Sequence, residues 1–259
     1  MKNLSGYPRL IRLAWLVFLL ISPCHADGLS SLIKINPSPN RLASPLVVGY
    51  IDFPPLYETI NRQPQGILVD VSSEVFDRLD VISKSLPMPT KRLFSSLKTG
   101  LVQLWCGIRI EELQPYVWTG TVPLHQLTLN LYSVTPQQEI TQLHQLEGKS
   151  VILLMGYKYG GWGDFIRGKQ NKIKYIEVKS HADAVRLLKT RRFDFLLNYQ
   201  APMNAELAES AIANISFHTV DQLDIVFNVS KKTKDGQALL RKLEQTLSQL
   251  IQEGKVTLQ

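Results

Sequence analysis

The sequence has few cysteines and no cluster of metal-binding side chains. Only Cys24 and Cys106 occur among 259 residues. Removal of an N-terminal leader would leave Cys106 alone, which excludes an internal disulfide. A lone thiol of this kind is expected to be buried as a small apolar side chain. The histidines beyond residue 26 do not pair with another histidine, a cysteine or a carboxylate at ligand spacing, so we predict no metal site and no cofactor.

Acidic residues are absent from the start of the chain. Three positive residues and no acid precede Asp27, and an unbroken apolar run occupies residues 13–21. This pattern is typical of a secretory signal peptide. The run is shorter than the ~20 residues that span a bilayer. We therefore predict a signal peptide over residues 1–26, cleavage after Ala26 and a periplasmic mature chain; an uncleaved anchor and lipidation of Cys24 are the alternatives.

The charged residues form no dense basic face. The formal charge of +7 includes three positive residues of the leader, and their removal leaves +4. This mild excess lacks the clustered Lys and Arg of a nucleic-acid-binding surface, so we predict no nucleic-acid partner. The G-x-G-x-x-G pattern of dinucleotide sites and the G-x-S-x-G pattern of hydrolases are also missing.

Apolar strands alternate with amphipathic helices along the chain. Residues 46–50, 101–108, 150–155 and 193–198 have the composition of buried strands. Helical spacing follows the first of them, with Asp70 expected as the N-cap. Alternation of this kind predicts the α/β class with largely parallel sheets.

Aromatic side chains follow several of the predicted strands. They are Phe53, Tyr57, Trp105, Tyr157, Tyr159 and Trp162. In open α/β sheets, ligands bind at the carboxyl ends of the strands, and rings provide apolar walls there. A single ring at such a position is more often part of the core. Several rings at equivalent strand ends predict a pocket.

Glycines and polar residues near these strand ends add to the predicted pocket. Gly160 and its neighbours would let backbone N–H groups approach a ligand. Arg109 follows Gly107 at a strand end, where its planar guanidinium could bind a carboxylate; a surface ion pair is the equally weighted alternative. The segment "SHAD" predicts a capping box at a helix start, with His181 in solvent.

The order of these segments resembles that in bacterial extracellular solute-binding proteins of family 3, the polar amino-acid-binding type. The similar segments are "VVGYIDFPPLYE", "QPQGILVDVSSEVFDRL", "LFSSLKTGLVQLWCGIR", "YVWTGTVPL", "LEGKSVILLMGYKYG", "AVRLLKTRRFDFLLN" and "NVSKKTKDGQALLRKLEQTLSQLIQEGKV". Together they cover nearly the whole mature chain. The resemblance rests on the order of the whole set of segments.

The resemblance implies a type II periplasmic binding fold. In this fold, two mixed, mostly parallel sheets belong to two α/β lobes that are joined by two crossover strands. Lobe 1 would comprise residues 27–126 and 221–259, and lobe 2 residues 127–220. Phe53 matches the family's stacking aromatic, and the prolines after it would hold it rigidly because each fixes its own φ.

The chain departs from the family pattern at two points. The segment between "WCG" and "YVWT" is shorter than usual, so the family's carboxylate-binding arginine has no direct match; Arg109 is the conjectured substitute. The family's ammonium-binding aspartate falls near Asn198 or Tyr199, both neutral. The fold is therefore expected, and an amino acid as the ligand is left open. Asp194 is expected to have a structural role.

We therefore predict a monomeric periplasmic solute-binding protein that captures a small polar or amino-acid-like solute by lobe closure and serves the inner-membrane permease of an ABC-type transporter. It is not expected to be an enzyme. The predicted ligand-binding residues are Phe53, Tyr57, Trp105, Gly107, Arg109, Tyr159, Gly160 and Asn198. The alternatives are a dehydratase resembling the periplasmic cyclohexadienyl dehydratases, with Asp52 or Glu58 as the proton donor, and a sensory partner of a membrane receptor.

Overall fold

A computed structural model describes residues 44–135, 137–209 and 215–257 of the chain. The strands are β1 (Leu46–Tyr50), β2 (Glu58–Ile60), β3 (Gln63–Gln65), β4 (Ser83–Pro87), β5 (Leu104–Ile108), β6 (Val117–Thr119), β7 (His125–Ser133), β8 (Ser150–Leu154), β9 (Lys174–Val178), β10 (Phe195–Tyr199) and β11 (Ser216–Ser230). The α-helices are α1 (Ile67–Arg78), α2 (Thr90–Thr99), α3 (Trp162–Arg167), α4 (His181–Lys189), α5 (Gln200–Glu209) and α6 (Gly236–Gln252). The predicted signal peptide lies outside the described residues.

Most of the strands join one curled, mixed sheet. Its order is β4-β1-β5-β11-β7-β10-β8-β9, and β6 pairs with β11. The pairs made by β1 and β8 with β4, β5, β9 and β10 are parallel. The pairs made by β7 and β11 are antiparallel. The predicted α/β class is confirmed, with its parallel pairs in the outer parts of the sheet.

Strands β7 and β11 connect the two ends of the sheet. They pair from Ser133 with Ser216 to His125 with Ile225, and the register shifts between Thr219 and Asp221. At Ile225, β11 also begins to pair with β5. We call β1, β4, β5 and β6 with α1, α2 and α6 lobe 1, and β8, β9 and β10 with α3, α4 and α5 lobe 2. Because the 15-residue β11 pairs in both lobes, the two expected sheets share one continuous hydrogen-bonded path.

Each lobe has its own apolar packing against the sheet. In α6 the buried leucines Leu240, Leu243, Leu247 and Leu250 recur at helical spacing and face lobe 1. Burying each leucine stabilises the fold by about 1.5–3 kcal/mol. In lobe 2, Asp194 accepts hydrogen bonds from the backbone N–H and hydroxyl of Ser150, both at 2.8 Å. Asp194 therefore has the structural role that the sequence predicts. No helix within the described ranges is long and apolar enough to cross a membrane.

The first helix begins earlier than the sequence predicts. It starts at Ile67, so the expectation of Asp70 as the N-cap is wrong; Asp70 lies in the first turn. The preceding Gly66 has φ 116° and ψ 166°, a conformation that is essentially confined to glycine. The first two helical N–H groups donate to the carbonyl oxygens of Pro55 and Leu56 at 3.2 and 3.1 Å. The backbone carbonyl groups of the preceding loop replace a capping side chain. Because this cap involves no particular side chain, the sequence pattern does not indicate it.

Candidate ligand-binding site

A cavity of about 80 Å³ lies between the lobes, at the carboxyl ends of β1, β5, β8 and β10. Leu127 of β7 and Ile225 of β11 contribute to its wall. The full lining is Ile51, Phe53, Leu56, Tyr57, Leu68, Thr90, Phe94, Trp105, Cys106, Gly107, Ile108, Ile110, Leu127, Gly156, Tyr157, Lys158, Tyr199 and Ile225. Because rings and aliphatic groups dominate this lining, we call the space the aromatic cavity.

A closed turn after β1 places two aromatic rings in the lobe 1 wall. The N–H of Phe53 donates to the carbonyl of Tyr57 at 2.6 Å, and the N–H of Tyr57 donates back to Phe53 at 3.0 Å. The ring of Tyr57 stacks on that of Tyr50, with centroids 5.1 Å apart. Both Phe53 and Tyr57 are buried. Backbone pairing within five residues therefore fixes the directions of both side chains.

Strand β5 contributes an indole ring that lies over a glycine. A Cβ atom at Gly107 would overlap the ring of Trp105. The same ring packs against Phe94 of α2, with centroids 5.7 Å apart. The Nδ2 atom of Asn228 donates to the carbonyl of Gly107 at 3.0 Å. The absence of a side chain at residue 107 is therefore what allows the indole to occupy the cavity wall.

The lobe 2 wall consists of two tyrosine rings that meet Phe53. The Phe53 centroid lies 5.5 Å from that of Tyr157 and 5.3 Å from that of Tyr199. The Tyr199 ring also stacks on Tyr159, at 5.5 Å and an interplanar angle of 29°. Phe53 of lobe 1 is therefore in direct contact with two rings of lobe 2.

A series of hydrogen bonds on the side away from the cavity holds Tyr157 and Tyr199 in place. The hydroxyl of Tyr157 lies 3.3 Å from Nε2 of His181. The Nδ2 atom of Asn198 lies 3.0 Å from Nδ1 of His181, and Oδ1 of Asn198 accepts the N–H of Tyr199 at 2.9 Å. Because the Asn198 oxygen is already bonded, its amide group is the donor to His181. Asn198 thus connects the two rings through one neutral imidazole.

His181 is half-buried, so the expectation that it lies in solvent is wrong. Burial lowers its pKa, and the bond with Asn198 opposes this only in part. The capping box itself is half present, since the Ser180 hydroxyl accepts the N–H of Asp183 at 3.1 Å. His181 follows this cap directly and its ring packs 5.9 Å from the Tyr157 ring. The "SHAD" motif predicts where α4 begins, but it does not predict that His181 packs against Tyr157 and Asn198.

The backbone of Tyr157 is held by a charged pair. Nη2 of Arg167 donates to the Tyr157 carbonyl at 3.0 Å. The same guanidinium donates to Oε1 of Glu177 from Nε at 3.0 Å and from Nη2 at 2.8 Å. Tyr157 is therefore fixed at its carbonyl by Arg167 and at its hydroxyl by His181.

Charged side chains lie at the rim of the aromatic cavity. Among its described lining residues, Lys158 is the one with an ionised side chain, and its Nζ lies 3.4 Å from Glu112 of lobe 1 and 3.5 Å from Asp164. Burial tends to raise the pKa of Glu112, but Lys98 and Lys158 outweigh it and the net pKa is lowered. A wider groove of about 1310 Å³ opens beyond this rim. The glutamate–lysine pair therefore joins the two lobes at the mouth.

The structure brings four of the predicted site residues together. Phe53, Tyr57, Trp105 and Gly107 all line the aromatic cavity. They come from two segments of lobe 1 that are about 50 residues apart in the sequence. The predicted thiol burial is also confirmed: Cys106 lies beside them, and burial raises its pKa to about 12.

The other four predicted residues lie outside the cavity lining. Arg109 is exposed, and its Nη1 donates to Gln114 at 3.0 Å. Arg109 and Gly160 line a separate groove of about 600 Å³. Tyr159 is fully buried behind Tyr199, and its hydroxyl accepts the N–H of Leu154 at 2.7 Å. Asn198 lies behind the wall, in the hydrogen-bond chain described above.

The sequence interpretation missed two rings of the cavity. Tyr199 directly ends β10, at the same edge of the sheet as the other rings, and Phe94 faces the cavity from α2. The position of Tyr199 at a strand end was the signal that could have predicted it. In the sequence, Tyr199 was considered only as a neutral residue near the position of the family's aspartate. No strand-end rule applies to Phe94, because it lies on a helix. Tyr157 was recognised as a strand-end ring and does line the cavity.

The carboxylates considered as proton donors are not among the residues that line the aromatic cavity. Oδ1 of Asp52 accepts from the hydroxyl of Thr59 at 3.3 Å at an exposed position, and Asp52 lines the wide charged groove instead. Glu58 begins the β2–β3 hairpin. Within the part of the chain that the structure describes, no group of three or more His, Cys, Asp and Glu side chains could hold a metal ion.

Solved structures with a similar fold include several binding proteins. A mutant of ArgBP from T. maritima superposes with a TM-score of 0.63 at 23% identity, over 84% of this chain and 92% of that one. The substrate binding protein of an amino acid ABC transporter gives 0.62 at 17%, over 82% and 96%. A histidine kinase sensor domain with similarity to periplasmic binding proteins gives 0.66 at 20%, over 82% and 92%.

These similarities show the fold of the chain. It is the two-lobed fold of periplasmic binding proteins, in which the lobes are joined by crossover strands, as the sequence resemblance implies. No protein-family model and no curated protein matches the sequence. The ligand and the biological role must therefore be inferred from the residues of this chain.

Proposed function

We propose that this protein is a solute-binding protein that captures a small molecule between its two lobes and delivers it to an inner-membrane transporter. The observation that carries the proposal is the contact of Phe53 with Tyr157 and Tyr199 around a cavity beside the crossover strands. Groups from two lobes that are joined by a hinge can enclose a ligand only when the lobes close. A ligand that contacts both walls would stabilise that closed arrangement.

The proposal includes the organisation of the mature chain. Residues 27–126 and 221–259 would form lobe 1, and residues 127–220 lobe 2. Both boundaries fall within β7 and β11, where the ribbon passes between the lobes. The mature protein would be a periplasmic monomer released by cleavage of residues 1–26. The fold similarity to binding proteins of transport systems supports this role.

Binding without catalysis is the simpler use of this site. The aromatic cavity contains no carboxylate among its described lining residues. General acid–base catalysis of a dehydration needs a positioned proton donor. Asp52 and Glu58 do not reach the cavity lining, so the enzymatic alternative has less support than binding.

A sensory role is a second candidate, because a histidine kinase sensor domain shares the fold. Pull-down from membranes distinguishes the two roles: a permease among the captured proteins supports transport, and a receptor without a permease supports sensing. The common property, solute binding, is tested by a thermal-shift screen of small molecules. A ligand at ~100 times its Kd adds about 2.7 kcal/mol to the free energy of unfolding. A broad screen without any stabilising solute would contradict the proposal.

A further inference from the structure

Tyr57 has a buried hydroxyl group without a hydrogen-bond partner. Of the described side chains, it carries the one fully buried N or O atom that has no partner. Three other buried tyrosines differ: the hydroxyl of Tyr50 is 2.8 Å from Thr59, that of Tyr132 accepts from Asn130, and that of Tyr159 accepts from Leu154. A buried polar group without a partner is costly, so its presence in a cavity wall points to a missing partner.

The immediate surroundings of this hydroxyl are neutral. Burial raises the pKa of Tyr57 well above its usual value, and the neighbouring Cys106 thiol adds to the shift. Burial likewise raises the pKa of Cys106 to about 12. Both groups therefore keep their protons at neutral pH. The Cys106 thiol is close enough to affect the pKa of Tyr57, but it makes no hydrogen bond of acceptable geometry with the hydroxyl, and a thiol is in any case a weak partner.

The charges at the cavity do not match an α-amino acid. Lys158 is already paired with Glu112 and Asp164, and it lies at the partly exposed rim. Among the described lining residues there is no carboxylate to receive an ammonium group. An isolated buried charge is strongly disfavoured. A zwitterion placed against the Phe53 and Tyr199 rings would leave its ammonium group without a carboxylate partner among the described lining residues.

The rings define the complementary part of the ligand. Phe53, Phe94, Trp105, Tyr157 and Tyr199 contribute faces and edges to one small space. Aromatic pairs add about 0.5–1.5 kcal/mol beyond their area burial, so an aromatic ligand is favoured over an aliphatic one. The cavity of about 80 Å³ is smaller than the roughly 150 Å³ cavity known to take benzene. A single ring would therefore enter as the lobes part and would hold them slightly wider than they are here.

On these grounds we propose that the aromatic cavity binds a small neutral phenol or aromatic alcohol, whose hydroxyl pairs with the hydroxyl of Tyr57. This inference rests on the proposed solute-binding function and names the ligand class for the same site. A phenol has a pKa near 10 and is neutral at physiological pH. It supplies one apolar ring for the walls and one hydroxyl that can both donate to and accept from Tyr57.

The test is calorimetric titration of the full mature chain with p-cresol, toluene, L-tyrosine and L-arginine. It uses the wild type, Tyr57→Phe and the control Tyr116→Phe, which removes a hydroxyl from an exposed ring outside the cavity. We expect p-cresol to bind the wild type more tightly than either amino acid. Tyr57→Phe should weaken p-cresol binding about tenfold, the size of one hydrogen bond, and leave toluene binding unchanged. Tyr116→Phe should change neither.

The Tyr57→Phe protein is expected to fold, because it loses only an unpaired buried hydroxyl; its melting temperature should equal or exceed that of the wild type. Equal p-cresol affinity in the wild type and Tyr57→Phe would overturn the hydroxyl pairing. Tighter binding of L-tyrosine or L-arginine would overturn the ligand class and leave solute binding intact. No heat with p-cresol up to 1 mM would overturn this inference alone. Only the failure of the broad solute screen would contradict the proposed function.

Discussion

In lobe 1, Phe53 and Trp105 are positioned by a closed backbone turn and by tight packing at two glycines, whereas in lobe 2 Tyr157 and Tyr199 are positioned by hydrogen bonds that involve side chains. A Cβ at Gly66 would meet the backbone of Leu56 in the turn that carries Phe53, and a Cβ at Gly107 would overlap the ring of Trp105. A bonded chain through one imidazole and one amide holds the second pair. The lobe 1 wall therefore depends on backbone geometry and close packing, whereas the lobe 2 wall also depends on the protonation state of His181.

The largest effect is expected from the shape of the lobe 1 wall. Gly66→Ala should lower the free energy of unfolding by about 2–4 kcal/mol, because the backbone conformation alone costs about 1–3 kcal/mol and overpacking adds to it. The new Cβ would lie 2.5 Å from the Leu56 carbonyl oxygen. Urea denaturation measures the change.

The matched control is Gly148→Ala. Gly148 also has positive φ, at +75°, but a Cβ there meets no atom within 4 Å. Gly148→Ala should lower the free energy of unfolding by only about 1–2 kcal/mol, which is the cost of the backbone conformation alone. Equal losses in the two variants would show that contact with the loop is not what requires glycine at residue 66.

The next effect concerns the hydrogen bonds of lobe 2. Asn198→Ala removes the acceptor of the Tyr199 N–H and the donor to His181, so about 1–3 kcal/mol should be lost. Asn204→Ala, at an exposed position of α5, should stay within about 0.5 kcal/mol of the wild type. If Asn198→Ala also lowered the free energy of unfolding by less than about 0.5 kcal/mol, the hydrogen bonds of Asn198 would not stabilise the lobe 2 wall.

Protonation of His181 should destabilise the folded protein. Burial lowers the pKa of His181, so the unfolded chain binds the proton more readily than the folded chain. The stabilisation is present above the unfolded pKa of about 6.5 and is lost as the pH falls from there through the lowered folded pKa. Denaturation measured between pH 8 and pH 5 should show this decline.

His181→Gln separates this residue from the other buried histidines. Burial also lowers the pKa of His125 and His218, so the wild-type decline contains all three. In His181→Gln, the free energy of unfolding should depend less steeply on pH. The slope should be smaller by up to about 1.4 kcal/mol per pH unit, which is the value for one proton. An unchanged slope would show that His181 does not titrate with unfolding.

The smallest effect is expected at the charged rim, which belongs to both lobes. A double-mutant cycle with Glu112→Gln and Lys158→Gln should give a coupling of about 0.2–1 kcal/mol, typical of exposed ion pairs. In about 1 M salt, where the Debye length is ~3 Å, the coupling should approach zero. A coupling that salt does not reduce would indicate a contact other than an ion pair.

The sequence predicted the lobe 1 wall better than the lobe 2 wall. Phe53 and Tyr57 lie four residues apart in a turn that closes on itself, so local reasoning reaches them. The order of segments was also enough to anticipate the two-lobed fold. By contrast, Asn198 and His181 are 17 residues apart and meet only when α4 packs against β10. From the sequence alone, Asn198 is therefore predicted to contact a ligand and His181 to lie in solvent.

Long-range geometry also explains why Arg109 lies outside the aromatic cavity. The sequence places Arg109 one residue after β5, close to Gly107 and Trp105. In the structure, the chain turns at that point and Arg109 bonds to Gln114, five residues on. Strand-end position alone does not determine on which side of the cleft a long side chain lies. The link between the lobes is also long-range: the sheets of the two lobes are joined by crossover strands, as expected, and β11 is long enough to pair in both lobes.

The most direct test of the account is a double-mutant cycle in stability between Phe53→Leu and Tyr199→Leu, with Phe94→Leu and Trp105→Leu as the control pair within lobe 1. The two pairs have centroid separations of 5.3 and 5.7 Å. We predict a coupling of about 0.5–1.5 kcal/mol for each pair. Coupling in the control pair together with strict additivity between Phe53 and Tyr199 would contradict the claim that rings of the two lobes meet around one cavity.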